Sequence, residues 1–441
     1  MLSIEKAETL GGILKAFRTE PLDKSEFAKF YYDKTMPIRT GDDNMSPLRD
    51  LYDECILPLA KNAHLLIGHG GSGKSTELFN LKQQLEDNGQ PTCIIDFMAN
   101  TDFTNADHWD MMLLITEGLC KIAEEHKLNV PEKTLTAVMN YLKEDVEKTS
   151  DTGFSSESGI ETGVAAKTPA ILSVLSIFAS IRSEIKASTL TRTKITEKME
   201  RRASEWIGYI NEISDWVMKG LSGKQPVLIF ENIDKYQPPD KVLEILLYQY
   251  LSEMPFPVIY TFPISLCHIP RFLAIEGNYK PHMLPMIKTS NVDKSDSPEG
   301  IGAIREIVKL RADEALFDEC ALNNLIKQTG GVLRDLFECI ISAARRADRR
   351  GSDRIEPEDS ARELGDLGER RSRLITMQDN DKLANIYNNQ KFREQIEDLQ
   401  FLFEKMQGLV VLEYRNGHRW HNLHPMVAQY LKDQGVIGVD I

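Results

Sequence analysis

The stretch Gly68-His-Gly-Gly-Ser-Gly-Lys-Ser-Thr76 decides how the rest of this sequence is interpreted. It fits the phosphate-loop pattern G-x-x-x-x-G-K-[ST], with Gly73, Lys74 and Ser75 at the fixed positions. Glycines leave backbone N–H groups free to turn towards phosphate oxygens without obstruction by side chains. The stretch therefore predicts a site for a nucleoside triphosphate.

Lys74 and Ser75 carry the most specific predictions within the loop. The ammonium of Lys74 is expected on the β- and γ-phosphates, and the hydroxyl of Ser75 is expected on Mg²⁺. The helix that begins there presents its positive N-terminal end to the phosphates. Residues 293–296 (DKSD) lack the first residue of the guanine-reading motif [NT]KxD, which favours ATP over GTP, so the predicted cofactors are ATP and Mg²⁺. The predicted nucleotide-binding residues of the loop are Gly68, His69, Gly70, Gly71, Ser72, Gly73, Lys74, Ser75 and Thr76.

The sequence on either side of the loop predicts an α/β fold. Residues 64–67 (HLLI) have the composition of a short buried strand, and residues 77–86 have the apolar spacing of a helix. Residues 92–97 (TCIIDF) are rich in strand-forming residues. A strand, a helix and a second strand in this order imply a parallel sheet. We therefore expect a P-loop NTPase parallel sheet flanked by helices.

A strand that ends in an acid provides the second catalytic signal. Apolar residues 227–230 lead into Glu231, and a carboxylate at the C-terminal end of a buried strand suits a Mg²⁺ site beside a phosphate loop. Glu231 is predicted to bind Mg²⁺ together with Ser75, and Asp234 to act on Mg²⁺ or water. Asn232 stands where many ATPases carry a catalytic glutamate, which predicts slow hydrolysis. The alternative is a solvated acidic turn after a core strand.

Two further residues are predicted to contact the γ-phosphate. Thr261 lies near the end of the strand over 258–262, where sheet ATPases place a polar residue that senses this phosphate. The alternative is a threonine that only satisfies the backbone. Arg334 follows two glycines at the start of a helix, in a stretch that resembles the sensor 2 element of AAA+ lids. The resemblance implies that this arginine can contact the γ-phosphate from a second domain and couple the nucleotide state to the angle between domains. The alternative for Arg334 is a surface ion pair. The predicted catalytic residues are Lys74, Glu231, Asp234, Thr261 and Arg334.

Composition and charge narrow the class of protein. The chain has 441 residues, 41% of them hydrophobic and 27% charged, as in globular proteins. No apolar run is long enough to span a bilayer, and the first residues do not resemble a secretory signal, so we expect a cytoplasmic protein without a membrane span. The net charge of −14 argues against a globally basic nucleic-acid-binding surface. Six cysteines without a CxxC pair indicate buried thiols rather than zinc ligands.

Changes in the sequence pattern divide the chain into four parts. Residues 106–220 are mostly helical in spacing, and the Ser/Thr/Gly-rich residues 148–163 interrupt them as a predicted mobile loop. The apolar run 169–181 is predicted to be a buried or partner-facing helix. The predicted parts are an N-terminal lead-in that packs on the ATPase core (1–62), a P-loop ATPase domain with a helical insertion at about 106–220 (63–298), a helical lid (299–368) and a winged-helix domain (369–441).

The C-terminal part predicts helices followed by a hairpin. Residues 408–414 and 419–423 have strand-like patterns on either side of an Asn-Gly turn, which suggests a winged helix. Such a domain binds DNA or serves as a packing module, and both interpretations stay open. His418, His421 and His424 invite a zinc interpretation, but no cysteine or carboxylate cluster accompanies them. We therefore predict no zinc site there.

Taken together, these motifs resemble the prokaryotic AAA+/STAND-type ATPases over most of the chain. The resemblance rests on the phosphate loop, the strand ending at Glu231, the GGVLRDL stretch at 330–336 and the terminal hairpin. The stretch GHGGSGKSTEL, with its FYY...R lead-in and W..LHP tail, resembles a group of bacterial ATPases paired with effector proteins, some in anti-phage defence. The resemblance implies an ATP-bound homo-oligomer that passes its nucleotide state to an effector protein.

The resemblance also draws attention to three arginines. In such assemblies an arginine of the neighbouring subunit completes the site, and Arg192 and Arg201 are the candidates. Arg39 of the lead-in is a candidate contact to the nucleotide. For its region we favour a surface helix that covers the sheet.

Three functions are compatible with these signals. The leading hypothesis is a regulatory ATPase whose slow hydrolysis sets the lifetime of an active oligomer. The first rival is a DNA-engaging ATPase that uses the winged helix, for which DNA-stimulated, salt-dependent hydrolysis is expected. The second rival is a scaffold that binds ATP without hydrolysing it.

Overall fold

A computed structural model describes residues 5–22, 24–57, 61–102, 105–146, 170–187, 189–389 and 399–438. The loop predicted over 148–163 lies outside these residues. The N-terminal part forms four short helices. They are α1 (Leu10–Ala16), α2 (Lys24–Phe30), α3 (Thr35–Thr40) and α4 (Pro47–Ile56).

A five-stranded parallel sheet forms the centre of the fold. The strands are β1 (Ala63–Gly68), β2 (Thr92–Asp96), β3 (Val227–Glu231), β4 (Val258–Pro263) and β5 (Lys280–Met283). Their order across the sheet is β2-β3-β4-β1-β5, with every neighbouring pair parallel. Because parallel strands end at the same edge, the C-terminal ends of β1, β3 and β4 lie together. The predicted α/β fold class is confirmed.

Helices cover both faces of the sheet. In β1, Leu66 packs in one apolar cluster with α4, whereas Leu65 and Ile67 belong to a second cluster on the other face, because successive strand side chains point in opposite directions. The helices between β1 and the end of β5 are α5 (Lys74–Asp87), α6 (Phe97–Asn100), α7 (His108–Glu125), α8 (Glu132–Val146), α9 (Ala170–Ala187), α10 (Thr189–Arg201), α11 (Ala203–Gly220), α12 (Asp240–Leu246), α13 (Gln249–Ser252) and α14 (Leu273–Glu276).

The apolar run predicted as a buried helix corresponds to α9. Its side chains Val174, Phe178 and Ile181 are buried in the larger cluster of the sheet. Among the described residues, no helix is both long enough and apolar enough to cross a membrane.

Four α-helices follow the sheet in the part of the chain predicted to be a helical lid, and this part is called the lid below. They are α15 (Pro298–Arg311), α16 (Glu319–Gln328), α17 (Leu333–Arg349) and α18 (Pro357–Ser372). Gly331, which precedes α17, has φ +81°, and a Cβ atom there would lie 1.8 Å from the carbonyl oxygen of Ile287. Only glycine permits this close approach of the lid to the core. The predicted lid limit at residue 368 needs correction, because α18 continues to Ser372.

The N-terminal part packs on two surfaces rather than on the ATPase core alone. α4 lies on the sheet, as expected. In contrast, Ile13 and Phe17 of the first segment share an apolar cluster with the lid, and the ring of Phe17 meets that of Phe337 edge to face at 5.3 Å. The prediction for residues 1–62 is corrected accordingly, because the apolar face of α1 is complementary to the lid.

The described residues that follow the lid form three α-helices and a hairpin. The elements are α19 (Asn380–Asn389), α20 (Leu399–Gln407), β6 (Val411–Asn416), β7 (His418–Leu423) and α21 (Pro425–Asp433). β6 and β7 are antiparallel, with Tyr414 stacked on Trp420 at a ring distance of 4.7 Å. A role for this arrangement as a winged helix stays a prediction.

Candidate nucleotide-binding site

The phosphate loop connects the end of β1 to the start of α5. Gly68 is the last residue of β1, residues 69–73 form the turn, and Lys74 is the first residue of α5. Gly73 has φ +100°, a left-handed conformation that suits glycine. The first N–H groups of α5 have no acceptor within the helix and are therefore available to an anion.

A cleft of about 940 Å³, which includes space open to solvent, adjoins this loop. The predicted residues on its wall are Gly71, Gly73, Lys74, Ser75, Thr76, Asp234, Thr261 and Arg334. Gly68, His69 and Gly70 line a neighbouring cavity instead, and Ser72 and Glu231 are buried. The structure thus gathers the predicted residues around one loop, although not all of them face one cleft.

The ammonium of Lys74 is buried among carbonyl oxygens and one carboxylate. Its Nζ donates to the carbonyl oxygens of Gly68 and His69, both at 2.9 Å, and lies 2.8 Å from Oδ2 of Asp234. Burial alone would raise the pKa of Asp234, but Lys74 holds it below its ordinary value. These contacts hold the lysine beside the loop.

The structure brings the two predicted Mg²⁺ ligands together. The side chain of Ser75 lies beside the carboxylate of Glu231, which is 4% exposed. Burial raises the pKa of Glu231, and the polar side chain of Ser75 opposes this shift. Hydroxyl and carboxylate oxygens are the ligands that Mg²⁺ prefers, so the chemistry of this pair fits the ion.

Thr261 and Asn232 shape the loop that follows β3. The hydroxyl oxygen of Thr261 accepts the N–H of Ile233 at 3.1 Å, and its polar side chain also helps to lower the pKa of Asp234. Asn232 has φ +65°, and its amide donates to Oδ2 of Asp96 at 2.9 Å. Thr261 therefore holds Asp234 in place, while the side chain of Asn232 is engaged with the neighbouring strand.

Arg334 brings the lid into contact with the phosphate loop. A Cβ atom on Gly71 would lie 2.9 Å from the Cβ atom of Arg334, so α17 begins directly against the loop. Lys235, which the sequence analysis did not single out, lies on the same cleft wall. Burial lowers the pKa of Lys235, and the nearby positive charges of Arg334 and Lys74 lower it further. The carboxylate of Asp234 opposes this shift. Three cations therefore converge where phosphates are expected.

Arg39 lies at the phosphate loop, whereas the sequence analysis favoured a place on the surface of the sheet. It lies on α3 rather than on the helix that covers the sheet, and it is 2% exposed. Its guanidinium donates to the carbonyl oxygens of Pro285 at 2.7 Å and Ser72 at 2.9 Å. Burial lowers its pKa, and the carboxylate of Glu77 opposes this shift. Arg39 thus supports the phosphate loop from behind and also lines the cleft.

The cleft also has an apolar portion formed by the N-terminal part and the lid. Leu22, Phe30, Ile307 and Phe337 line it. The guanidinium of Arg311 lies 4.9 Å from the ring centre of Phe337. Apolar and aromatic side chains of this kind are suited to cover a planar base.

The two candidate trans-acting arginines differ in their surroundings. Arg192 is buried and pairs with Asp110, and with Asp107 at 3.4 Å, inside its own chain. Reaching a neighbouring subunit would require breaking this buried pair, so the structure argues against Arg192. The side chain of Arg201 is 77% exposed and pairs with Glu197 on the same helix at 3.2 Å. Arg201 stays a candidate.

The C-terminal hairpin touches the phosphate loop directly. The Nε2 atom of His69 accepts the backbone N–H of Glu413 in β6 at 2.8 Å. Burial lowers the pKa of His69 to about 3, which keeps its ring neutral and able to accept. The hydroxyl of Tyr414 donates to the carbonyl oxygen of Gly330 at 2.8 Å, just ahead of α17. The hairpin therefore contacts both the loop and the lid.

Asp335, the neighbour of Arg334, pairs with a residue of α18 and lies beside His424 of the C-terminal part. Nη2 of Arg371 lies 2.6 Å from each of its carboxylate oxygens, and Nε2 of His424 lies 3.4 Å from Oδ2. Burial alone would raise the pKa of Asp335, but these two partners hold it below its ordinary value. The start of α17 is therefore fixed to α18 and to the start of α21.

The histidines of the tail occupy different environments. His418 is exposed, His424 contacts Asp335, and His421 lies beside Glu413 and His268. The sequence analysis found no carboxylate cluster near these histidines. It missed this grouping because His268 lies far away in the chain.

The sheet, the loop and the helix that follows the loop give this chain the P-loop nucleoside-triphosphate-binding fold. No protein-family model matches the sequence, and no curated protein matches it. Among solved structures, the chain is similar to the Orc1 protein of Aeropyrum pernix in complex with DNA, at 13% identity and a TM-score of 0.36, covering 88% of this chain and 92% of that chain.

Two other solved structures show a comparable degree of similarity. Cdc6p from Pyrobaculum aerophilum matches at 13% identity and a TM-score of 0.35, over 94% of this chain and 98% of that chain. The ADP form of the Aeropyrum pernix Orc2 protein matches at 11% identity and a TM-score of 0.36, over 94% and 97% of the two chains.

Proposed function

We propose that this protein binds ATP with Mg²⁺, hydrolyses it slowly and acts as a nucleotide-dependent switch that assembles with itself and controls a partner protein. One observation carries this proposal. Arg334 lies against the phosphate loop, and the adjacent Asp335 accepts hydrogen bonds from Arg371 and lies 3.4 Å from His424. A change in the position of Arg334 is therefore passed on to the C-terminal part.

The phosphates of ATP would occupy the cleft above Gly71 and Gly73, where the amides of α5 point. Lys74 would exchange its loop carbonyls for phosphate oxygens, because the negative charge of a triphosphate attracts it more strongly. Ser75 and Glu231 would hold Mg²⁺, which neutralises charge on the transferred phosphoryl group. The adenine would lie against the apolar portion of the cleft.

Slow hydrolysis follows from the residue after Glu231. Asn232 carries an amide, which cannot accept a proton from water as a carboxylate can. Its side chain also donates to Asp96 and is therefore already occupied. The long-lived ATP state that results favours a switch over a motor.

Self-assembly and control of an effector protein rest on the resemblance to AAA+/STAND-type ATPases, and a role in anti-phage defence is proposed on the same ground. Arg201 is our candidate for the arginine supplied to a neighbouring subunit, because its guanidinium is exposed on a helix. The C-terminal part is the proposed output element, because it contacts both the loop and the lid.

Size-exclusion chromatography and phosphate release test this function. Wild type, Lys74→Ala and Lys82→Ala are compared with ATP, with ADP and without nucleotide, each with and without duplex DNA. Lys82 lies on the same helix and makes only a half-buried pair with Glu86, so it is a matched control. We expect ATP but not ADP to drive assembly of wild type and Lys82→Ala, and Lys74→Ala to lose both assembly and turnover.

Other outcomes select other functions. Turnover that rises with DNA and falls steeply with salt would favour the DNA-engaging ATPase. Tight ATP binding without phosphate release would favour the scaffold. Unchanged turnover in Lys74→Ala would contradict the mechanism altogether.

A further inference from the structure

Two histidines and a glutamate converge beneath the phosphate loop. His268 closes the short 3₁₀ helix Ile264–His268 that follows β4, while Glu413 lies on β6 and His421 on β7. Nε2 of His268 lies 3.1 Å from Oε2 of Glu413, and Nε2 of His421 lies 3.2 Å from the same oxygen. One ligand atom from each of the three residues lies within 4.8 Å of the other two.

The three side chains are buried, with exposed fractions between 4% and 6%. A carboxylate so deeply buried needs a compensating positive charge. Among the described residues, the groups that pair with Glu413 in salt bridges are the imidazoles of His268 and His421. An imidazole is positively charged only when it is protonated, so a metal ion held by the carboxylate and two neutral rings would supply the compensating charge.

A second grouping of two histidines and a glutamate differs from the first because a lysine joins it. Glu54 lies 3.3 Å from Nδ1 of His64 and 3.1 Å from Nε2 of His282. There the ammonium of Lys280 also pairs with Glu54, so a cation is already supplied by the chain. This grouping needs no metal ion and serves as a natural control.

We propose that His268, Glu413 and His421 form a binding site for a divalent transition-metal ion of the zinc type. Imidazole nitrogens with one carboxylate oxygen are a ligand set that zinc accepts, with the fourth position left to water. Tetrahedral bonds of about 2.0–2.1 Å separate neighbouring ligand atoms by about 3.4 Å. The 3.1 Å and 3.2 Å separations are close to this value.

The location gives the ion a defined role. It would join the hairpin to the segment after β4, two parts of the chain that are 145 residues apart at His268 and Glu413. The backbone N–H of Glu413 also donates to His69 of the phosphate loop. The ion would therefore hold β6 in the position in which it supports the loop. This inference does not depend on the proposed ATPase function.

The test uses the full chain, stripped with a chelator and titrated with Zn²⁺ in the absence of nucleotide. We expect about one equivalent bound with a dissociation constant below about 1 μM. Glu413→Gln and His268→Gln should each weaken binding at least about 100-fold. His282→Gln, in the control grouping, should bind Zn²⁺ like wild type.

Absorption of the Co²⁺-loaded wild-type chain provides a readout without any substitution, because tetrahedral Co²⁺ with nitrogen and oxygen ligands has strong visible bands. Circular dichroism identifies a variant that does not fold. His268→Gln, which lies outside the hairpin, then decides the result together with the Co²⁺ spectrum. Absence of Zn²⁺ binding by wild type, or loss of binding only in His282→Gln, would overturn the proposal.

Discussion

The imidazole of His69 in the phosphate loop accepts a hydrogen bond from the backbone N–H of Glu413, although the two residues are 344 positions apart in the chain. The phosphate loop is therefore not isolated from the rest of the chain. It is in contact with the C-terminal hairpin.

Replacement of His69 should separate nucleotide binding from the hairpin. In His69→Ala the N–H of Glu413 loses its acceptor, at a cost of about 1–3 kcal/mol to the local structure. We expect ATP binding to persist, because backbone amides and Lys74 provide it, while ATP no longer protects residues 411–423 from hydrogen exchange. His69→Gln, whose amide oxygen can accept the same N–H, is the control. Equal protection in wild type and His69→Ala would contradict this coupling.

Replacement of Glu231 should remove the Mg²⁺-dependent part of catalysis. Glu231→Gln keeps the size of the side chain but loses the charge that Mg²⁺ requires beside Ser75. We expect phosphate release to fall at least about 100-fold and the half-saturating Mg²⁺ concentration to rise. Glu244→Gln, at an exposed glutamate, is the matched control. A Mg²⁺ dependence that is the same in wild type and Glu231→Gln would rule out the assigned ligand.

Two adjacent arginines on α18 should differ in their contribution to stability. Arg371→Ala leaves the buried carboxylate of Asp335 without its guanidinium partner, and we expect the free energy of unfolding to fall by about 3 kcal/mol. Arg370 makes an exposed pair with Glu338 at 3.6 Å, so Arg370→Ala should change it by no more than about 0.5 kcal/mol. Urea denaturation measures both. Similar losses in the two variants would show that Asp335 does not fix the lid.

The start of α21 should weaken in acid because of His424. Burial lowers the pKa of His424 below its ordinary 6.5, although Asp335 opposes this shift. Nδ1 of His424 also accepts the N–H of Met426 at 3.2 Å, which requires an unprotonated nitrogen. The unfolded state therefore binds the proton more readily, and the stabilisation is present above pH 6.5 and lost as the pH falls below it.

Hydrogen exchange of α21 at pH 7, 6 and 5, corrected for intrinsic rates, checks this expectation. The opening free energy of wild type should fall by at most about 1.4 kcal/mol per pH unit because of this group. His424→Asn keeps a side-chain acceptor for Met426 and cannot titrate, so its profile should be flatter. Parallel profiles for the two proteins would contradict the assignment to His424.

Local patterns predicted the centre of the fold well. The glycine-rich loop, the apolar strands and the acid at the end of β3 are each formed by residues that are adjacent in the chain. The local sequence pattern is therefore sufficient to predict them. The start of the helix that carries Arg334 was also predictable, because two glycines precede it in the sequence. Ser75 and Glu231 lie close together because the parallel strands β1 and β3 end at the same edge of the sheet.

Contacts between distant segments were not predictable from these patterns. Arg39 supports the loop through carbonyl oxygens that any residue could provide, so the sequence carries no motif for it. The grouping of His268 with Glu413 depends on where the hairpin docks, and no spacing reports this. The burial of Arg192 beside Asp110 likewise depends on how α10 packs on α7.

The packing of the first helices on the lid has a consequence for the synthesis of the chain. The guanidinium of Arg311 donates to the carbonyl oxygen of Phe30, which lies 281 residues earlier. At a translation rate of about 5–20 residues per second, the N-terminal helices leave the ribosome roughly 15 to 55 s before their partner surface exists. During that time the apolar face of α1 lacks the lid surface on which it packs in the folded protein, so this face is open to solvent or to non-native contacts until the lid emerges.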